Sequence, residues 1–289
     1  HRTSVFVICL AAMGSTIWFS QVWFNLRIYY LLPLVLYWLV LFFENSKPQY
    51  FWLAGLTALA WGIGNVPYFV PMWGFILLLT VMFLFIKNPS VIRCLLDRSV
   101  SNIVLMVTFV ILAGIFLYFT MHALDYTTLH APGRDPQTGK VTLETFRTYG
   151  GNADLVVLLR SFLYGYPLQL PWGSGADNSI YIGLVPLVFF VVGLFTVRSD
   201  TFRGIALAVF VLIWLSVGGI FTSILYYIPL MSNYRHVGLV YGLVKILVIL
   251  GSGFAVDALL NRSGSVRLNW MVTLVGLAFL IESILKIPG

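Results

Sequence analysis

The chain has 289 residues, of which 60% are hydrophobic and only 9% charged, and its formal net charge is +7. A soluble domain carries about 25% charged residues, so this chain has too few to cover a water-exposed surface. The basic residues are scattered without a basic run or a nucleic-acid motif, which argues against nucleic acid as a partner and favours contacts with membrane lipids.

Long continuous apolar runs dominate the sequence, and in lipid such runs must satisfy their backbone polar groups as helices. The sequence therefore predicts an all-α polytopic membrane protein with about nine transmembrane helices. The predicted spans are 4–24, 28–43, 50–64, 67–86, 101–121, 179–197, 203–222, 235–259 and 268–285.

These spans divide the chain into three predicted parts. Residues 1–121 form an N-terminal transmembrane bundle of about five spans, and 179–289 form a C-terminal bundle of about four. Residues 122–178 between them form an extracytoplasmic loop subdomain.

The basic residues of the short loops also predict the orientation. When the loops are assigned alternately to two sides, the short loops of one side hold only Arg27 and Arg235. This pattern predicts a multi-pass membrane protein with the N-terminus inside and residues 122–178 outside. The expected location is a bacterial inner or plasma membrane. The other side holds Arg2, Lys47, Lys87, Arg93, Arg98, Arg198, Arg203, Arg262 and Arg267.

The long loop contains two predicted elements. A turn signal at 135–139 lies between 126–129 and 141–146, which are rich in strand formers, and together they predict a β-hairpin. The segment 154–164 has helical apolar spacing and predicts a helix lying in the membrane interface.

Span eight carries the most informative polar residue, Lys245, which lies inside an otherwise uncharged run. A lysine at membrane depth is costly, so it marks either a functional site or a structural ion pair, for example with Glu282. Both interpretations stay open. Helical periodicity places one candidate cavity-lining face along this span, formed by Tyr234, Gly238, Tyr241, Gly242 and Lys245 and continued by Ser252.

Arg235 and His236 precede this face at the outer end of span eight. With Lys245 they are candidates for binding the phosphate of a lipid headgroup, because the guanidinium fork suits phosphate. The alternative is an interfacial anchor that contacts ordinary lipids.

Acidic residues near the outer face are weak candidates for a general base, and each is also typical of a cap or turn. The candidates are Asp125 and Asp154, with Asp177 at the end of the loop. His122 and His130 flank Asp125 without the spacing of a metal site, so no metal ligand is predicted, although a divalent metal stays possible. Cys9 and Cys94 are interpreted as packing residues.

Several stretches, in the same order, resemble the YfhO-type membrane proteins of the GT-C superfamily of glycosyltransferases, which use lipid-linked sugars. The resemblance covers most of the chain. It is carried by Gly14–Gln21, Leu32–Tyr37, Gly62–Pro67, Asp154–Val156, Tyr181–Leu187 and the segment from Tyr234 through Gly251 to Asp257.

The resemblance implies a polytopic enzyme that transfers a sugar from a polyprenyl-phosphate donor on the extracytoplasmic face. In that superfamily the catalytic acid lies in the first large external loop, which this resemblance places before His1. Arg235 corresponds to a contact with the lipid phosphate. Two other functions stay open: a noncatalytic subunit of a larger complex with other membrane subunits, and a lipid or small-molecule transporter.

Overall fold

The structure is a computed structural model. It describes residues 31–62, 91–128, 135, 137–149, 155–165, 181–217, 220–228, 231–233 and 241–261, together with 80, 82 and 86. Over these residues the chain is helical, with no strand, which confirms the predicted all-α class for this part of the protein. The helices are α1 (Leu32–Asn45), α2 (Pro48–Gly62), α3 (Val91–Cys94), α4 (Val100–Thr128), α5 (Leu143–Tyr149), α6 (Leu155–Tyr164), α7 (Leu184–Thr196), α8 (Asp200–Val217), α9 (Ile220–Tyr226) and α10 (Tyr241–Asn261), with a 3-10 turn at Met231–Asn233.

Six of the predicted spans coincide with helices. The spans at 28–43, 50–64, 101–121, 179–197, 203–222 and 235–259 correspond to α1, α2, α4, α7, α8 with α9, and α10. The spans at 4–24 and 268–285, and nearly all of 67–86, lie outside the described residues. The division into 1–121, 122–178 and 179–289 stays a prediction.

Two helices among the described residues are long and apolar enough to cross a membrane, judged by length and composition. They are Val100–His122 within α4 and Leu243–Asn261 within α10. Their surroundings differ sharply, since 6% of the most apolar stretch is buried in the first helix and 67% in the second. Apolar character therefore accompanies exposure in α4 and interior packing in α10.

The predicted β-hairpin is wrong. Tyr126–Thr128 continue α4, and Leu143–Phe146 form the first part of α5. Thr142 explains why Leu143–Phe146 are helical: its hydroxyl accepts the backbone N–H of Thr145 at 3.1 Å and caps the beginning of α5. The intervening turn is present: the backbone N–H of Gly139 donates to the carbonyl of Asp135 at 2.8 Å, and Gly139 has φ +66°.

The described helices fall into two compact units. One contains α1 to α5, α9 and the 3-10 turn. Its α1–α2 pair is joined by aromatic rings, including Trp38 stacked on Tyr50 with centroids 5.9 Å apart. The helix α2 then packs on α4, where Trp52 lies 5.6 Å from Phe109 between ring centroids. This unit is thus built on aromatic contacts between neighbouring helices.

Asn102 anchors the beginning of α4 and is only 3% exposed. Its side-chain oxygen accepts the indole N–H of Trp52 at 2.6 Å. Its amide nitrogen donates to the carbonyls of Leu95 at 3.1 Å and Asp97 at 2.6 Å. One side chain therefore joins α2, the turn after α3 and the first turn of α4.

The other unit contains α6, α7, α10 and α8 as far as Ile213. In it α7 packs against α10, with Phe189, Ala255 and Val256 forming a buried apolar cluster. Close approach is possible because Gly251 lies under the ring of Phe190: a Cβ at Gly251 would lie 2.6 Å from that ring. Glycine at this position therefore sets the distance between α7 and α10.

Candidate functional site

Lys245 lies in α10 and its side chain is fully buried, at 0% exposure. The adjacent Val244 and Leu247 are equally buried, and Val248 nearly so. The depth of Lys245 in a membrane and its role stay predictions. A buried ammonium is expensive to desolvate, so it is retained where the surroundings or a ligand stabilise its charge.

The structure describes only part of the segment that carries the predicted cavity-lining face of span eight. Tyr241, Gly242 and Lys245 belong to the same helix, and Ser252 continues the series as a buried residue whose hydroxyl donates to the carbonyl of Ile249 at 2.7 Å. Burial extends around α10, however, because Leu243 and Val248 are covered as well. Periodicity alone thus does not separate one functional face of this helix from the rest.

The other residues of the predicted phosphate site lie outside the described residues. These are Arg235 and His236, together with the cavity-lining candidates Tyr234 and Gly238. Their roles stay predictions, as does the ion pair of Lys245 with Glu282, which lies in the same undescribed part.

The chain immediately before Tyr234 is fixed by contacts that the sequence did not reveal. The backbone N–H of Val141 donates to the carbonyl of Ser232 at 2.9 Å, and the hydroxyl of Tyr226 donates to the carbonyl of Val141 at 2.9 Å. The ring of Tyr226 also meets Phe146 edge to face, with centroids 5.4 Å apart. The loop segment before α5 is therefore held against α9 and the 3-10 turn.

The side chains of the candidate acids lie outside the part of the protein that the structure describes. Asp125 lies in the last turns of α4, whereas Asp154 and Asp177 lie outside the described residues. His122 packs edge to face on Tyr118, with centroids 4.6 Å apart. Among the described residues, no group of three or more His, Cys, Asp or Glu side chains is placed to hold a metal ion.

Two titratable groups have a pKa that is shifted by their surroundings. The carboxylate of Asp135 accepts the backbone N–H of Gln137 at 2.9 Å and the hydroxyl of Thr138 at 2.8 Å, and these bonds lower its pKa. Burial raises the pKa of the Cys94 thiol, which keeps it protonated and a weak nucleophile. Asp135 thus stabilises a turn, and the role of Cys94 as a packing residue stays a prediction.

Comparison of the chain with models of protein families, with curated proteins and with solved structures gave no match.

Proposed function

We propose that this protein is a multi-pass integral membrane protein of about nine spans that binds a polyprenyl-phosphate-linked sugar and transfers the sugar on the extracytoplasmic face. The proposal has two parts, membrane insertion and donor binding. They rest on different residues and are tested separately.

The exposed surface of α4 supports membrane insertion. At 1.5 Å per residue its 29 residues extend about 43 Å, comparable to a bilayer with its headgroups. Large aliphatic side chains such as Val110 and Ile115 are more than half exposed along it. The better-covered residues recur at helical spacing, at Asn102, Phe109 and Thr120, so one stripe packs on protein and the remaining surface suits acyl chains.

Full burial of Lys245 in an apolar helix is the observation that carries donor binding. In a sugar transfer from such a donor, the bond between the anomeric carbon and the phosphate oxygen breaks, and negative charge grows on the leaving phosphate. A cation excluded from water stabilises that charge more strongly than one in solvent. Lys245 would supply this charge together with Arg235 and His236, and the resemblance to the GT-C superfamily supplies the substrate class.

The test uses the full chain in proteoliposomes with a polyprenyl-phosphate sugar of defined composition. Lys245→Met should weaken donor binding at least tenfold, since a charge-assisted hydrogen bond contributes about 1.5–3 kcal/mol. Lys140→Met is the matched control, because Lys140 is exposed beside the Asp135 turn. If the wild type binds the donor and Lys245→Met binds it with the same affinity, the assignment of Lys245 to the donor site is refuted.

A noncatalytic subunit is the second candidate, and the same full burial of Lys245 supports it as well. Lys245 is completely covered in the chain as it stands, as expected for a cation that holds helices together. In that case Lys245→Met should strongly destabilise the protein, by about 3–5 kcal/mol, because it leaves a buried partner uncompensated. A wild-type protein that neither binds nor turns over the donor, combined with this loss of stability, would establish the second candidate over the first.

A further inference from the structure

The short helix α6 has an unusual distribution of side chains. One side is covered, with Leu158, Ser161 and Phe162 buried. Away from this side, Leu155, Val156 and Leu159 are each between 45% and 55% exposed. The helix therefore presents aliphatic side chains on a surface that the described residues do not cover.

Helical geometry places these aliphatic side chains together. At about 100° per residue, Leu155, Leu159, Leu163 and Val156 fall within an arc of about 100°, which is the width of a typical apolar stripe. Arg160 is exposed and borders this arc next to Val156. An apolar stripe flanked by a cation is the pattern of a helix that lies at a membrane surface, where a long basic side chain reaches the lipid phosphates.

The length of α6 excludes a crossing of the bilayer. Its ten residues extend about 15 Å, half of the hydrocarbon thickness of about 30 Å. A helix of this length can bury its apolar side in lipid by lying along the membrane interface, but it cannot span the bilayer.

Backbone hydrogen bonds hold the C-terminal end of α6 next to the beginning of α7. The carbonyl of Phe162 accepts the backbone N–H groups of Ile182 at 2.9 Å and Gly183 at 3.1 Å. Gly183 is the residue that precedes α7, and the 13 residues of α7 include no charged side chain. The C-terminal end of α6 is thus held at the beginning of an apolar helix, which is the level at which a bilayer interface would lie.

We propose that α6 is an interfacial anchor whose occupant is the phospholipid bilayer itself. Its apolar arc enters the boundary between headgroups and acyl chains, and Arg160 contacts lipid phosphate. This inference rests on the membrane part of the proposed function and is independent of the donor-binding part.

The test measures the immersion of spin labels in proteoliposomes, using the full chain with Cys9→Ser and Cys94→Ser as background. A label at Leu159→Cys should be more accessible to oxygen than to a water-soluble nickel chelate, at a depth of about 5–10 Å. A label at Arg160→Cys should lie nearer the headgroups. Lys140→Cys is the control in water, and Val110→Cys on α4 is the control in the hydrocarbon core.

The four positions separate the possible failures. If Val110 reports lipid while Leu159 is as accessible to the chelate as Lys140, the inference is overturned and the membrane proposal stands. If Leu159 is shielded from both reagents, protein rather than lipid covers α6, and the inference is overturned again. If the label at Val110 is as accessible to the nickel chelate as the label at Lys140, the proposal that α4 is inserted in the membrane is overturned, and the inference on α6 is overturned with it.

Discussion

The contact between α7 and α10 predicts that adding one methyl group at Gly251 destabilises the protein. In Gly251→Ala, the new Cβ would lie 2.6 and 2.7 Å from two carbon atoms of the Phe190 ring. Carbon atoms in favourable contact are about 3.5–4.0 Å apart, so the overlap is about 1 Å. Phe190 is itself buried and packs at a tilt against Phe202, with ring centroids 5.7 Å apart, so its ring has little room to move away.

The expected magnitude is a difference between two effects. Overpacking of a core typically costs about 1–3 kcal/mol, whereas replacing glycine by alanine inside a helix gains about 1 kcal/mol. We therefore expect a net loss of up to about 2 kcal/mol in the free energy of unfolding for Gly251→Ala. Gly114 on α4 provides a matched control, because a Cβ there would meet nothing within 4 Å. Gly114→Ala should stabilise the protein by about 0.5–1 kcal/mol.

The assay is reversible unfolding of the purified protein in mixed micelles, titrated with SDS and followed by tryptophan fluorescence and far-UV circular dichroism. Adding Phe190→Leu to Gly251→Ala should recover part of the loss, because residues in contact have non-additive effects. If Gly251→Ala stabilises the protein as much as Gly114→Ala, the close packing of α7 on α10 is wrong.

Three further perturbations test other parts of the structure. Asn102→Ala should destabilise by about 3 kcal/mol, since it removes the hydrogen bonds to two carbonyls and leaves the indole N–H of the half-buried Trp52 without its acceptor; SDS unfolding measures this. Gly183→Ala should destabilise by about 1–3 kcal/mol, because φ +88° with ψ 155° is a conformation that essentially only glycine adopts; the same titration applies. NMR titration of carboxyl-labelled aspartate should give Asp135 a pKa below its ordinary value, and Thr138→Val should raise it. The stabilisation from Asp135 is present above its unfolded pKa and is lost as the pH falls through the lower, folded value.

Each of these perturbations has a control or a contradicting result. Asn261 is exposed and bonds Asp257 at 3.1 Å, so Asn261→Ala should change stability by less than about 0.5 kcal/mol. If Asn102→Ala changes stability no more than Asn261→Ala does, the result contradicts the hydrogen-bond network of Asn102. A Gly183→Ala protein as stable as the wild type would contradict the conformation of that residue. For the turn, the contradicting result is an Asp135 pKa that Thr138→Val leaves unchanged.

The helices were largely predictable from the sequence, because long apolar runs without charged residues favour helices over other secondary structure in a chain of this composition. The error at 126–129 and 141–146 arose because strand propensity is a weak local preference. The helix α4 gains a hydrogen bond with each added residue, and the Thr142 cap starts α5, so both override that preference.

Contacts between distant positions were not predictable. Trp52 and Asn102 are 50 residues apart, and Tyr226 and Val141 are 85 apart, so no local pattern links either pair. The apolar surroundings of Lys245 indicated a lysine at membrane depth, but not that protein side chains cover it completely. The burial of the other faces of α10 was not predicted, because it depends on which helices pack against α10. Periodicity describes one helix, whereas a site depends on its neighbours.

The three-way bonding of Asn102 has a consequence for the order in which this unit assembles. Its amide reaches its acceptors only when the turn after α3 is formed, and its oxygen finds the indole of Trp52 only when α2 is already beside α4. An intermediate lacking either part leaves strong polar groups unsatisfied in an apolar environment. The docking of α2 on α4 is therefore expected to be cooperative, with partly docked states sparsely populated during folding.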